Sequence, residues 1–217
     1  SITDSHSTVW LNGNWTISGQ VNITNSTIRM NGTNNGTVGI NVTPTGWLII
    51  NESSNITNGD VVDAHYFFDV NSGSNFSMVD SYLSEAGWDA TRPGLVIQTT
   101  VDEFSGNVLE FNANGLTVTS ANTHYTNLIV RNNSLDGILL YTAIFNNFSN
   151  ITIYGSGDDG FQLWDSDNNV INNLTTFNNT GDGINIYSAA DLNQFTDIVA
   201  YNNDYCVRRI SFFISKN

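Results

Sequence analysis

Four aspartates stand immediately before or beside a repeated glycine: Asp136-Gly137, Asp158-Asp159-Gly160 and Asp182-Gly183. Two carboxyl groups held close together can cleave a glycosidic bond, one protonating the leaving oxygen while the other activates water. Stacked one coil apart, at about 4.8 Å, such acids also perturb one another's protonation. Aspartate before glycine is equally an ordinary turn residue, and that reading competes with catalysis. A second oxygen-rich turn, Asp165-x-Asp167-x-Asn169, is spaced like the start of a calcium loop. Val170 stands where such a loop needs glycine, and no glutamate closes it. No metal or other cofactor is therefore expected, calcium at this turn being the one candidate. His6, His65 and His124 are isolated and make no zinc-type spacing. Trp10, Trp15, Trp47, Trp88 and Trp164 could stack on sugars, and Trp164 sits at the outgoing end of an apolar strand beside Asp165.

A different chemistry is written in the asparagines. The acceptor pattern Asn-x-Ser/Thr occurs 14 times, roughly twice what chance gives in so Asn-rich a chain. Expected glycosylation sites are Asn14, Asn22, Asn25, Asn31, Asn35, Asn51, Asn55, Asn75, Asn132, Asn147, Asn150, Asn173 and Asn178. Asn41 is left out because Pro44 follows its Thr43.

The composition narrows the partners. Only 12% of residues are charged, and 20 Asp plus Glu outweigh 6 Lys plus Arg for a net charge of -14. No basic stripe exists to displace counterions from nucleic acid. Anionic membranes and polyanionic sugars are disfavoured on the same ground, whereas neutral glycans and cations are not. The single cysteine, Cys206, permits no intrachain disulfide. No apolar run reaches membrane-span length. A chain opening on Ser1 fits a mature secreted protein.

The elements that must position these residues repeat. Gly94, Gly115, Gly137, Gly160 and Gly183 each precede an alternating apolar triplet, with steps of 21 to 23 residues. An Asn followed by an aliphatic residue keeps the same phase at Asn127-Leu128, Asn150-Ile151 and Asn173-Leu174, with Asp197-Ile198 as a variant. Period-two apolar runs of three to five residues, bounded by Asn, Gly, Asp and Ser, are strands. No segment keeps a 3.6-residue period, so no long helix is expected. A repeat this short holds three short strands and three turns, and stacked repeats bury columns of equivalent side chains. Leu116, Ile138, Phe161 and Ile184 form one expected column; Val118, Leu140, Leu163 and Ile186 another; Leu128, Ile151, Leu174 and Ile198 a third. Equivalent asparagines can stack as an amide ladder.

The prediction is an all-β, single-stranded, right-handed parallel β-helix of about eight or nine coils, each of roughly 21–27 residues. One domain spans 1–217. Coils in 1–93 are longer and looped, with a cap around Val9-Trp10-Leu11, and those in 94–217 are regular. Residues Tyr82 to Pro93 read as a loop leaving the helix. The apolar run Ile210 to Ile214 reads as an uncapped, sticky coil end.

The pattern at residues 94 to 205 resembles the parallel β-helix repeat family, which includes pectate-lyase-like and polygalacturonase-like enzymes, copper-accessory proteins and archaeal surface proteins. The first half, with Asn31-Gly32-Thr33 and Gly46-Trp47-Leu48, looks most like archaeal members. The resemblance implies fold more than function. Gly157-Asp158-Asp159-Gly160 matches the acidic motif of the hydrolases. Their Gly-His-Gly turn is missing, since Thr and Tyr flank His124, and no Arg/Lys pair is read after Asp182. A lyase would need a basic residue, and Arg131 is the only one between Arg92 and Arg208. Copper handling would call for Met or His clusters, and the chain has only Met30 and Met78.

The expectation that follows is a secreted, heavily N-glycosylated cell-surface protein, non-catalytic, that self-assembles into a filament, sheath or layer. The alternatives are a glycan-binding adhesin, or a polysaccharide hydrolase using Asp136, Asp158, Asp159 and Asp182.

Overall fold

The computed structural model describes residues 7–59 and 64–210. Among them every strand pairs with its counterpart one coil away, in parallel, and no helix occurs. The chain is therefore a parallel β-helix. One face is a nine-stranded sheet built from Trp15–Ile17, Gly39–Val42, Phe67–Val70, Gly94–Ile97, Asn114–Val118, Ile138–Tyr141, Phe161–Trp164, Ile184–Tyr187 and Val207–Ile210. Thr8–Leu11 pairs in parallel with Thr27–Met30 as the first strand of the opposite side. The expected terminal run beyond Ile210 lies outside the described residues.

That opposite side changes along the chain. In the early coils it consists of two strands with a corner between them, as in Asn75–Val79 and Tyr82–Ser84. From residue 124 onward the two fuse into one eight-residue strand: His124–Arg131, Asn147–Tyr154, Val170–Phe177 and Gln194–Tyr201. The sequence repeat suggested three separate strands in these coils. One residue in the left-handed region is enough to turn the corner without ending the strand. Asn127, Asn150, Asn173 and Asp197 do so with φ of 56°, 57°, 53° and 54°, a conformation that Asn and Asp tolerate better than most residues. Their amides stack as expected: Asn150 Nδ2 donates to Asn127 Oδ1 (3.0 Å) and Asn173 Nδ2 to Asn150 Oδ1 (2.8 Å).

Coil length falls with this change. Trp47 pairs with Gln20 and Asn75, giving coils of 27 and 28 residues, whereas Tyr125 pairs with Phe104 and Phe148, giving 21 and 23. All three expected side-chain columns form in register. An aromatic stack runs through the interior from Phe68 through Phe76, Phe104, Tyr125 and Phe148 to Phe161, with centroid spacings of 4.6 to 6.3 Å. The repeated glycines have a packing cause. A Cβ on Gly137 would lie 2.5 Å from the Gly160 carbonyl oxygen, and one on Gly160 would lie 2.7 Å from that of Gly183.

The excursion expected at Tyr82 to Pro93 is shorter than its sequence suggested. Tyr82–Ser84 is a strand paired on both sides, and Ala86 bridges Tyr66. The segment that leaves the coil lies between Ala86 and Gly94. Strand pairing through Tyr82–Ser84 and buried Leu83 and Ala86 continue the ladder where Gly87, Trp88 and Pro93 had signalled a loop.

Candidate functional site

The acids occupy one corner of the helix, between the long strand and the nine-stranded face. In three successive coils this corner is six residues long: 132–137, 155–160 and 178–183. Equal length keeps Asp136, Asp159 and Asp182 in register, and each hydrogen-bonds its neighbour. Asp136 N–H donates to Asn114 Oδ1 (3.1 Å), Asp159 N–H to Asp136 Oδ1 (3.1 Å) and Asp182 N–H to Asp159 Oδ1 (2.7 Å). The turn role anticipated for these residues is thus real, and it uses one oxygen of each of Asp136 and Asp159.

The second oxygens differ. Asp159 Oδ2 accepts from Gln162 Nε2 (2.9 Å) and Asn185 Nδ2 (2.7 Å), which completes that carboxylate. Asp182 Oδ2 pairs with Arg208 Nε (3.0 Å), and the same guanidinium reaches Asp204 (3.2 Å) and lies over Tyr205. Asp136 Oδ2 is left for the groove, and Asp158 stands exposed beside it. Carboxylate oxygens of Asp136, Asp158 and Asp159 lie within 4.8 Å of one another. Asp182 does not join that group.

Burial, together with the charges of Asp159 and Asp158, pushes the Asp136 carboxyl up to about 7. Asp158 is raised by burial and by Asp159. Asp182 is raised by burial and by Asp159, with Arg208 pulling the other way. The cluster therefore sets an acid that keeps its proton near neutrality beside two further carboxyl groups, the residue types that two-carboxylate chemistry needs.

A groove runs over the nine-stranded face beside these acids. Its outward column is Thr117, Leu139, Gln162, Asn185 and Arg208, one per coil. Two depressions of about 380 and 440 Å³ meet at Asp158, Gln162 and Trp164. The far wall is a second aromatic ladder, Tyr141–Trp164–Tyr187, with centroids 6.0 and 4.6 Å apart. Tyr141 and Trp164 remain 46% and 39% exposed, too open for core residues. Aromatic faces opposite hydrogen-bonding side chains suit a sugar ring, which has apolar and hydroxylated surfaces.

The other sequence-derived candidates separate clearly. Asp165, Asp167 and Asn169 do not converge. Each gives an oxygen to a neighbouring coil: Asp165 to Ala189 N–H (3.1 Å), Asp167 to Asp191 N–H (2.6 Å) and Asn169 to Asn146 N–H (2.9 Å). Among the described residues, the group of acids close enough to share a cation is Asp136, Asp158 and Asp159. Arg131 is bound to Glu110 and to the Tyr154 hydroxyl, away from the acids. Asn14, Asn35, Asn75, Asn132, Asn150, Asn173 and Asn178 are exposed, and Asn22, Asn25, Asn31, Asn51, Asn55 and Asn147 are half-buried. The amide nitrogens of Asn31, Asn150 and Asn173 are engaged with asparagines of the preceding coil.

Sequence reasoning missed Gln162, Asn185, Tyr141, Tyr187 and Arg208. Gln162 and Asn185 were visible as outward positions of the alternating triplets, and Tyr141 and Tyr187 as the residues directly after them. Arg208-Arg209 corrects the expectation that no basic pair follows Asp182: it arrives one coil later, where the repeat has lost its glycine, and Arg208 pairs with Asp182.

Residues 93–217 match the family described as the right handed beta helix region. No curated protein matches the chain. Among solved structures, a double mutant of the periplasmic alginate epimerase AlgG superposes with a TM-score of 0.58 at 14% identity, covering 97% of this chain and 62% of that one. Another structure of AlgG gives 0.54 at 15% identity, with 93% and 59% covered. This chain spans about three fifths of the length of those enzymes, and at such identity the likeness concerns the fold. No helix among the described residues is long and apolar enough to cross a membrane. With more than half its length matched, the chain belongs to the right-handed β-helix family.

Proposed function

We propose that this protein is an exported carbohydrate-active β-helix that hydrolyses a neutral polysaccharide in the groove beside Asp136 and Asp158. The observation that carries the reading is the three-carboxylate cluster opposite the Tyr141–Trp164–Tyr187 ladder. Asp136, holding its proton near neutrality, protonates the leaving glycosidic oxygen. Asp158, exposed beside it with an oxygen within 4.8 Å, stands at the short separation of a retaining pair: it attacks the anomeric carbon as the glycosidic bond breaks, and water deprotonated by Asp136 then hydrolyses the glycosyl-enzyme. Asp159 already accepts three hydrogen bonds, so its part is to fix Gln162 and Asn185 and to keep Asp136 protonated through its charge.

The solved neighbours are polysaccharide-modifying enzymes of the periplasm, which favours an exported carbohydrate-active protein over an inert surface subunit. Alginate itself suits this groove poorly. Among the described residues the cation that lines it, Arg208, is committed to two carboxylates, and a uronate polymer would meet the acids unneutralised. The reaction is tested by reducing-end release from a panel of neutral polysaccharides, comparing the native chain with Asp158→Asn and Asp159→Asn. Equal turnover in Asp158→Asn and the native chain would remove the assignment.

The exposed sequons favour a second, compatible proposal: N-glycans on the outer surface, and with them a cell-surface location. Assembly into a filament, sheath or layer rests on sequon density and the neutral surface. Electron microscopy with intact mass on the native protein tests both, and an unglycosylated monodisperse monomer would refute them.

A further inference from the structure

The groove is walled at one end. The corner that carries the acids in later coils is an excursion in the coil that begins at Gly94, where it runs through residues 85–93. The next corner, from Glu110 to Asn114, has only three residues between its strands. A long corner followed by a short one leaves a step, and the depression of about 380 Å³ lies below it. Ala90 and Pro93 form its wall, Asn114, Thr117 and Thr119 its floor, and Asp136, Asp158 and Trp164 its far end. On the other side of the excursion lies a separate depression of about 260 Å³ lined by Phe67, Asp69, Thr91, Arg92, Pro93 and Gln98. Pro93 is common to both, so the excursion stands between them.

The wall is built to hold its shape. Its ends pinch together: a Cβ on Gly87 would lie 2.2 Å from Gly94 N, and Gly87 has φ of 74°. Trp88 N–H donates to the Arg92 carbonyl (3.0 Å), and Asp89 Oδ1 accepts from Thr91 N–H (2.8 Å), Thr91 Oγ1 (2.6 Å) and Arg92 N–H (3.1 Å). Arg92 ties the tip back to the preceding coil through Asp69 (3.4 Å) and the Phe67 ring (5.6 Å). Trp88 rests on Gly36, where a Cβ would come within 2.6 Å of its ring.

We infer that residues 85–93 close the groove on the side of the first coils, so that the protein takes a polysaccharide by its end and not along its length. The inference rests on the carbohydrate reading above. Two coil steps separate Val96 from Leu139, on the strand that follows Asp136, and three separate it from Gln162, on the strand that follows Asp158, or about 10 and 14 Å at the usual strand spacing. These distances hold a short oligosaccharide between wall and acids, and the remainder of the chain leaves over Asn185 and Arg208.

The test is binding of neutral hexasaccharides (gluco-, manno-, xylo- and galacto-linked), each free or capped at one end or the other with a bulky fluorophore. A hexasaccharide that binds should lose about tenfold or more in affinity when one end is capped and about twofold or less when the other is. Replacing residues 89–92 by Gly-Gly should abolish the difference. Should that variant fail to fold, Ala90→Trp, at an exposed position of the wall, should weaken binding of the free hexasaccharide about fivefold or more, and unchanged affinity would overturn the inference. Equal effects of the two caps on the native protein would overturn the closed groove and leave the carbohydrate reading standing. Failure of every hexasaccharide to bind would remove both.

Discussion

In the coils between Met30 and Gly94, the corner ahead of the nine-stranded face spans Met30 to Gly39, Asn58 to Phe67 and Ser84 to Gly94; in the three coils that carry the acids it spans Arg131 to Ile138, Tyr154 to Phe161 and Phe177 to Ile184. The first set has eight or nine residues between strands, the second uniformly six. Uniform corners superpose, and superposition lets the backbone N–H of one acid reach the carboxylate of the last. There, among the described residues, burial and neighbouring carboxylates together hold a proton near neutrality. The longest of these corners, the excursion at 85–93, instead stands between two depressions. One solenoid thus carries this excursion and its acid cluster at the same corner, in coils whose corners differ in length. The opposite corner follows the same division. Buried Ser26, Ser54, Ser81 and Asn107 fill it in the early coils, with Ser54 Oγ donating to the Asn51 carbonyl (2.6 Å) and Asn107 Nδ2 to that of Met78 (2.7 Å). A single residue, Asn127, Asn150, Asn173 or Asp197, turns it later.

If the uniform corner is where chemistry resides, substitutions there should act on turnover and those in the early coils should not. Asp136→Asn or Asp158→Asn should lower kcat by about 10²- to 10⁴-fold, the usual contribution of a positioned acid or base, while Asp80→Asn, at an early corner, should leave it unchanged. Native activity should also decline as pH rises through about 7, where Asp136 loses its proton; a rate flat from pH 6 to 8 would break the assignment.

Asp136 should also cost the fold stability. Its folded value near 7 lies above the unfolded value of about 3.9. The native state therefore holds the extra proton between those limits, and stability falls as pH rises from about 4 to about 7. Integrated, the loss is up to about 4 kcal/mol. Asp136→Asn keeps the Oδ1 acceptor for Asp159 N–H and should be more stable than the native chain in urea at pH 8, with a smaller gap at pH 5. A constant gap would place the raised carboxyl elsewhere.

Packing offers a finer contrast. Gly160→Ala pushes a methyl toward the Gly183 carbonyl and Thr176 Oγ1 and should cost about 1–3 kcal/mol. Gly19→Ala, with nothing within 4 Å of the new Cβ, should be near neutral in the same melts. Smallest is the single-residue corner: Asn150→Ala should cost about 1–2 kcal/mol, from the left-handed backbone and the lost amide rung. Asn150→Gly should recover part of that; equal losses would mean the ladder outweighs the backbone.

The repeat, its phase, the three aliphatic columns and the Asn127–Asn150–Asn173 ladder were legible in the residues themselves. Stacking makes equivalent positions neighbours, so a period in sequence is already a contact map. Asp136, Asp158, Asp159 and Trp164 were legible for the same reason. Whether the acids were only turn residues was not legible, because the answer depended on which oxygen each spends on the ladder and which it keeps. Asp159 spends both, Asp182 gives one to Arg208, and Asp136 keeps one. Arg208, beyond the last repeated glycine, and the wall at 85–93, where the period breaks, belong to that second class. Aperiodic residues carry no register of their own, and only the folded coils decide what they face.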